Sequence, residues 1–155
     1  MKKVIIAVCG GHKCSKEVEH LAHKVGENIA KVGAILVCGG LGGVMLAVCQ
    51  GAKQAGGLTI GILPSEDKNS ANPYVDIAIP TGFGYTRNTL VVGAADVIIA
   101  LPGEYGTLSE IAFALNAKKP VIGLQTWDIK GIMPASNADE AVKLAMQAIA
   151  KNSGN

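Results

Sequence analysis

Clusters of glycine follow short apolar segments of this sequence, and this arrangement strongly restricts the folds open to the chain. The 155 residues include 20 glycines, and many of these are grouped instead of evenly spread. Between the apolar segments, hydrophobic residues recur at helical spacing, as in Val18, Leu21, Ala22, Val25, Ile29 and Val32. Continuous apolar strands separated by amphipathic helices are typical of a parallel sheet with helices on both faces.

The pattern predicts six strands, at 3–8, 34–37, 58–63, 75–79, 96–101 and 120–124. It predicts helices after Ser15, over 42–55, 85–94 and 107–117, and after Asn137, which has Glu140 in capping-box position. The length suits one domain spanning 1–155, and we expect its tail, 151–155, to fray. Ligands of such sheets bind beyond the carboxyl ends of the strands, so the segments after the strands are candidate sites.

Composition and charge exclude several classes of protein. With 49% hydrophobic and 17% charged residues, the chain is globular and not disordered. A net charge of +2, scattered along the chain, does not favour nucleic acid as a partner. No run of 18 apolar residues indicates a membrane span, and the three histidines form no metal-ligand pattern, so we expect neither membrane nor metal. Four cysteines without CxxC spacing favour a cytoplasmic protein with reduced thiols.

The first candidate phosphate-binding segment is the glycine-rich stretch 38–43, which follows the second predicted strand and opens a helix. Glycine allows the backbone to approach a ligand closely, and a helix N-terminus offers unpaired N–H groups to a phosphate. Met45 stands where the dinucleotide fingerprint has its third glycine, so NAD is not favoured. The alternative is a tight turn without a ligand. The candidate ligand-binding residues here are Gly39, Gly40, Gly42, Gly43 and Met45.

A second glycine-rich segment, 102–107, follows the fifth predicted strand and leads into another helix. Its candidate ligand-binding residues are Gly103, Gly106 and Thr107, because Thr107 can offer both its hydroxyl and its N–H group to a phosphate. Glu110 is either a functional carboxylate or the capping-box partner of Thr107, since T-x-x-E is the capping-box signature.

Arg87 is the only arginine, and every other basic residue is a lysine. It follows the fourth predicted strand and precedes Asn88. A planar guanidinium suits bidentate phosphate binding, which makes both residues candidates for the ligand site. The alternative is an ordinary exposed residue on a helix.

Together, the segment 39–45, Arg87 and the Pro102–Glu110 motif resemble the LOG (Lonely Guy) superfamily. That group includes cytokinin-activating phosphoribohydrolases and molybdenum cofactor carrier proteins, and the resemblance extends over about residues 3–124. It implies a single Rossmann-like, doubly wound α/β domain. It also implies a homodimer or higher homo-oligomer, in which the apolar helices 42–55 and 107–117 would pack across a two-fold axis.

In the phosphoribohydrolases, an arginine and the last glutamate of PGGxGTxxE form the catalytic pair. Motif matching places Arg87 and Glu110 at those positions. The implied reaction is hydrolysis of a nucleoside 5′-monophosphate to free base and ribose 5-phosphate, without a required cofactor. Glu104 replaces the second glycine of the motif, and Asn88 stands where the cytokinin-activating enzymes carry lysine. The Gly-Thr-Leu-Ser-Glu version is more similar to the cofactor-carrier branch.

Three functional hypotheses follow from these residues. The first is binding of a phosphate-bearing small molecule, either an AMP-like nucleotide or a molybdopterin-type cofactor, as in the molybdenum cofactor carriers. The second is a nucleoside 5′-monophosphate phosphoribohydrolase that uses Arg87 and Glu110. The third is a non-catalytic structural or regulatory α/β module.

Overall fold

Within residues 2–154, which the computed structural model describes, the chain forms seven strands and five α-helices. The strands are β1 Ile5–Cys9, β2 Ile35–Cys38, β3 Thr59–Leu63, β4 Ile77–Pro80, β5 Val97–Ala100, β6 Val121–Gly123 and β7 Met133–Pro134. The helices are α1 Lys16–Lys31, α2 Val44–Gln54, α3 Asn88–Ala94, α4 Tyr105–Asn116 and α5 Ala138–Asn152.

All neighbouring strands pair in parallel, in the order β4-β3-β2-β1-β5-β6-β7. The chain starts in the middle of the sheet, builds outward to β4, and then returns to place β5 on the other side of β1. Doubly wound sheets bind their ligands at such a reversal, beyond the carboxyl ends of the strands, which here are β1 and β5. The predicted Rossmann-like α/β fold is confirmed. The short seventh strand has no counterpart in the sequence-based prediction.

Helices cover both faces of the sheet because successive strand residues point to opposite sides. On β1, Ile6 and Val8 pack in one apolar core with α1, α2 and α5. Ala7 and Cys9 pack in a second core with α3 and α4. Strands β1, β2, β5 and β6 are therefore buried on both sides, as their continuous apolar runs predict, whereas β4 at the edge of the sheet is largely exposed.

Helices α1 and α2 touch backbone to backbone because each presents a glycine to the other. A Cβ added at Gly26 would overlap the carbonyl oxygen of Val48, and one added at Gly51 would overlap that of His23. Most of α2 is consequently buried within its own chain. This corrects the expectation that helix 42–55 packs across a two-fold axis, because the helix has no exposed apolar face for that contact.

The predicted caps at the starts of α1 and α5 are confirmed, while the end of α5 differs from the prediction. The side chains of Ser15 and Asn137 accept hydrogen bonds from the N–H groups of Val18 and Glu140, at 3.2 and 2.8 Å. Helix α5 continues to Asn152, so the prediction that the chain frays from residue 151 is wrong for the start of that segment. Asn155, the end of that predicted tail, lies outside the described residues.

Among residues 2–154, no helix combines the length and apolar character needed to cross a membrane.

Candidate functional site

The loops after β1, β2 and β5 meet at the carboxyl edge of the sheet, and Gly11 joins them. Its N–H donates to the carbonyl of Pro102 at 2.9 Å, and its own carbonyl accepts from the N–H of Val44 at 2.9 Å. Gly43 has a φ of 61°, and a side chain there would overlap the Gly11 carbonyl. A Cβ at Gly103 would lie 2.9 Å from the Gly11 nitrogen. The loops therefore pack so closely that these positions require glycine.

The first glycine-rich loop, 38–43, is also held by Asn72 from the segment between β3 and β4. The N–H of Asn72 donates to the carbonyl of Gly40 at 2.9 Å, and its side-chain amide donates to that of Leu41 at 2.9 Å. Gly42 is half-buried in this loop, where an added Cβ would lie 3.4 Å from the carbonyl oxygen of His12, and Met45 is buried in the first turn of α2. The chain thus fixes this loop through its own contacts.

The N-terminus of α4 offers the most unpaired N–H donors at this edge. Leu108 is the first residue of the helix to donate back, to the carbonyl of Glu104 at 3.0 Å. The N–H groups of Tyr105, Gly106 and Thr107 precede it and so have no partner within the helix. In α2, by contrast, the first N–H belongs to Val44 and is already used by Gly11. The positive end of the α4 dipole is therefore the better position for an anion.

Thr107 lies inside the first turn of α4 and does not cap it. The N-cap is Glu104, whose side chain makes no capping hydrogen bond. The Thr107 side chain is buried against Gly103, where an added Cβ would overlap its hydroxyl oxygen. The capping-box interpretation of Thr107 and Glu110 is therefore wrong, because the helix begins before Thr107.

Arg87 is buried beneath the first glycine-rich loop, with only 6% of its surface exposed. Its Nε donates to the carbonyl of Ile62 at 2.9 Å, its Nη1 donates to Oδ1 of Asn88, and its Nη2 donates to the carbonyl of Gly39 at 3.4 Å. The interpretation as an ordinary exposed helix residue is therefore wrong. Three of the five guanidinium N–H groups donate to oxygen atoms of the protein itself, which leaves two that can donate to a ligand.

Asn88 connects Arg87 to the start of α4. It is buried, and its amide nitrogen lies 3.5 Å from the carbonyl of Gly106 and 3.3 Å from Oγ of Ser109. Ser109 in turn donates to the Gly106 carbonyl at 2.6 Å. Asn88 thus holds the second glycine-rich loop in place beside the guanidinium.

Glu110 is buried below the same loops, with 8% of its surface exposed. Burial raises the pKa of its carboxyl to about 8, and the positive charge of Arg87 offsets only part of this rise. Burial and the charge of Glu110 also raise the pKa of the Cys9 thiol at the end of β1. Every fully buried side-chain oxygen or nitrogen in residues 2–154 has a hydrogen-bond partner. No hydrogen bond contributes to the shift at Glu110, so burial is its cause.

The structure brings Gly39, Arg87, Gly106 and Glu110 together, and it adds residues that the sequence did not indicate. Gly11 is one of them, and its position directly after the first strand was an available signal. Trp127 is another, since its Nε1 donates to the carbonyl of Gly103 at 3.1 Å. It lies between β6 and β7, in a segment without a glycine cluster, so no comparable pattern identified it.

Comparison with known proteins shows the family of the chain. A family model described as the SLOG cluster4 family matches residues 3–153. The molybdenum cofactor binding protein of Rippkaea orientalis superposes with a TM-score of 0.91 at 40% identity, covering 96% of this chain and 99% of that one. The Moco carrier protein of Chlamydomonas reinhardtii gives a TM-score of 0.88 at 36% identity, with 97% and 99% coverage.

An enzyme is also among the relatives. The cytokinin riboside 5′-monophosphate phosphoribohydrolase of Mycobacterium tuberculosis is 31% identical over 133 residues, which are 79% of this chain and 71% of the enzyme. The resemblance that the glycine-rich motifs indicated is therefore confirmed. The chain belongs to the SLOG cluster4 family, a LOG-like Rossmann branch close to the molybdenum cofactor carrier proteins.

Proposed function

We propose that this protein binds a phosphate-bearing, nucleotide-like molecule at the carboxyl edge of its sheet, with a molybdopterin-type cofactor as the first candidate cargo. The observation that carries the proposal is the unpaired N-terminus of α4. A Cβ at Gly106 would meet only Asn88, at 3.9 Å, so there is open space beside these donors. We propose that no separate cofactor is needed, because the chain itself supplies the donors.

The charges below the loops support an anion at this position. With a pKa of about 8, Glu110 is mostly protonated at pH 7 and does not neutralise the nearby guanidinium. The buried charge of Arg87 therefore adds to the positive end of the α4 dipole. His12 and Lys13, both exposed in the loop after β1, lie at the same edge of the sheet.

The protonation of Glu110 also favours binding over rapid hydrolysis. Cleavage of an N-glycosidic bond develops positive charge on the sugar, and an ionised carboxylate would stabilise that charge. At neutral pH this side chain is largely the neutral acid, which gives no such stabilisation. Titration of Glu110 alone would make more of the ionised form only near and above pH 8.

The phosphoribohydrolase remains the second candidate, supported by the buried Arg87–Glu110 arrangement and by the mycobacterial relative. In that reaction, water would add its oxygen to C1′ of the ribose and the C1′–N bond would break. Ionised Glu110 would take a proton from this water and pass it to the departing base, while Arg87 would orient the substrate. A purely structural module gives no reason to keep a buried, unpartnered carboxyl, which costs stability.

The test is a panel of nucleoside 5′-monophosphates and molybdopterin with wild-type protein and Glu110→Gln. We expect thermal stabilisation without release of free base, because a ligand at 100 times its Kd adds about 2.7 kcal/mol. Base release by wild type that disappears in Glu110→Gln would establish the hydrolase instead. The binding proposal fails if no member of the panel shifts the Tm.

We further propose that the protein is a cytoplasmic homodimer that pairs through the α3–α4 face. Leu90 and Phe113 are exposed on these helices. Ile77 and Ile79 of β4 are register partners of Ile60 and Ile62, so they point to this face and are also exposed. Exposed apolar residues on one layer of the fold favour an interaction site there. The face fits a two-fold contact, in which the same patch of each protomer meets its copy.

Phe113→Asp is expected to convert the dimer into a monomer, because it places a charge on this apolar face. Light scattering after size-exclusion chromatography would measure the mass. Val32→Asp is the matched control, since Val32 is as exposed as Phe113 but lies at the end of α1, on the opposite layer. A wild-type protein that is monomeric at all concentrations would contradict the proposal.

A further inference from the structure

Two exposed aromatic rings lie beside the second glycine-rich loop. The chain has only six aromatic residues, and Trp127 is its single tryptophan. Tyr105 is 79% exposed and Trp127 is 36% exposed, and their ring centroids are 6.3 Å apart with planes inclined by 30°. Both rings are partly exposed, and a further planar ring can stack on them, since offset stacking favours centroid separations of about 4.5–7 Å.

The pair is fixed to the same loop that would hold the phosphate. The indole N–H of Trp127 donates to the carbonyl of Gly103 at 3.1 Å, and the hydroxyl of Thr126 donates to that of Leu101 at 2.9 Å. Gln125, which precedes them, has a φ of 54°, in the left-handed region that favours glycine. Tyr105 is the first residue of α4, so its ring and its unpaired N–H belong to the same residue. A ligand held by its phosphate at α4 would therefore place its other end near these rings.

Glu104 adds an acceptor to this surface. It is exposed at the N-cap and makes no capping hydrogen bond, so its carboxylate does not compete for the N–H groups of α4. A free carboxylate beside a phosphate is unfavourable unless hydrogen-bond donors of the ligand meet it. Guanine and the pterins share a 2-amino-4-oxopyrimidine ring, called here a 2-amino-4-oxo ring. It presents a ring N–H and an amino group side by side, which match the two carboxylate oxygens. Adenine presents an amino group beside an acceptor nitrogen and does not match.

We infer that Tyr105 and Trp127 stack on the planar ring of the bound molecule and that Glu104 selects a 2-amino-4-oxo ring. This inference rests on the proposed function, because the rings serve a ligand whose phosphate is held at α4. It assigns a role to Glu104, whose negative charge is otherwise unexplained at a phosphate-binding motif.

Three probes separate the ring subsite from the phosphate site: GMP, AMP and ribose 5-phosphate. Calorimetry measures their affinities, and the fluorescence of the single Trp127 reports stacking. GMP is expected to quench this fluorescence and to bind about 10-fold more tightly than AMP. Ribose 5-phosphate is expected to bind without quenching, since it has a phosphate but no ring.

Two variants test the residues directly. Tyr105→Ala is expected to weaken GMP binding by about 10-fold, within the range for loss of one stacked base, and to leave ribose 5-phosphate much less affected. Glu104→Gln is expected to bring the GMP-to-AMP affinity ratio close to one. Leu58→Ala is the control, because it removes another exposed apolar side chain at the amino end of β3, the edge of the sheet opposite the proposed site.

The outcomes distinguish this inference from the function on which it rests. An equal loss of GMP and ribose 5-phosphate affinity in Tyr105→Ala would show that the rings do not form a separate subsite. Wild-type protein without a preference for GMP over AMP would remove the role of Glu104. Failure of all three probes to bind, ribose 5-phosphate included, would overturn the phosphate site itself.

Discussion

Glu110→Gln is expected to be more stable than wild type at pH 8, by up to about 4 kcal/mol. The pKa of the buried carboxyl is about 8 in the folded protein, against an ordinary value of 4.5. Each pKa unit of difference between the folded and unfolded states corresponds to about 1.4 kcal/mol of folding free energy. Burial of the Glu110 carboxyl therefore lowers stability once this carboxyl can ionise in the unfolded chain. Glutamine has nearly the same shape and cannot ionise, so the variant avoids this cost.

The sign follows from the protons bound in each state. Between pH 4.5 and 8 the folded protein keeps the Glu110 proton, while the unfolded chain loses it. The contribution of Glu110 to stability is therefore fully present below pH 4.5, declines as the pH rises toward 8, and stays lost above that value. The advantage of Glu110→Gln should grow over the same interval and vanish at its acidic end.

Urea unfolding of both proteins at several pH values from 4 to 9 would measure this difference. Glu17→Gln is the control, because Glu17 is an exposed carboxyl in the first turn of α1 and its replacement should change stability only slightly. Parallel stability curves for wild type and Glu110→Gln would contradict the expectation. If Glu110→Gln is more stable than wild type but has lost the thermal stabilisation by ligand or the base release that wild type shows, the carboxyl of Glu110 is retained for function at a cost in stability.

Gly51→Ala is expected to destabilise the protein by about 3 kcal/mol or more, although alanine is the better helix former. Intrinsic propensity favours the substitution by about 1 kcal/mol. The new Cβ, however, would overlap the His23 carbonyl and lie 3.1 Å from the nitrogen of Glu27, so α1 and α2 would have to separate. Overpacking against a backbone that cannot rotate away costs more than propensity returns.

Gly93→Ala provides the matched comparison for this prediction. Gly93 also lies in a helix, but an added Cβ there meets nothing within 4 Å. This variant should gain about 0.5–1 kcal/mol from reduced backbone freedom and better helix propensity. Urea unfolding at one pH would measure both variants. Similar stabilisation of the two would show that the close contact between α1 and α2 does not limit stability.

The main elements of the fold could be predicted because each has a local cause. The apolar runs define six of the strands, and Ser15 and Asn137 mark the helix starts with side-chain caps. Strand β7 could not be predicted, since Met133–Pro134 pairs with β6 without any apolar run of its own. The start of α4 was also misplaced, because Thr107 and Glu110 match a capping pattern that the buried Thr107 does not form.

The candidate site was only partly predictable, because its decisive contacts join distant parts of the chain. Arg87 stood out as the single arginine, but nothing local indicated that its donors reach Ile62 and Gly39. The same holds for Glu110, whose raised pKa comes from burial in the assembled fold. Residue type thus identified the candidates, while tertiary packing determined how many of their polar groups remain for a ligand.

The bridge made by Gly11 has a consequence for the order in which this protein acquires its site. The loops after β1 and β2 come from the first half of the chain, and the loop after β5 comes from the second half. Because Gly11 bonds to both, the binding edge is complete only after β5 has docked beside β1. A ribosome-bound chain that ends before α4 would lack this edge, so newly made protein could take up a ligand only after its sheet had closed around the central strand. A bound molecule that touches both halves would then oppose their separation, which would make the loaded form slower to open locally than the empty one.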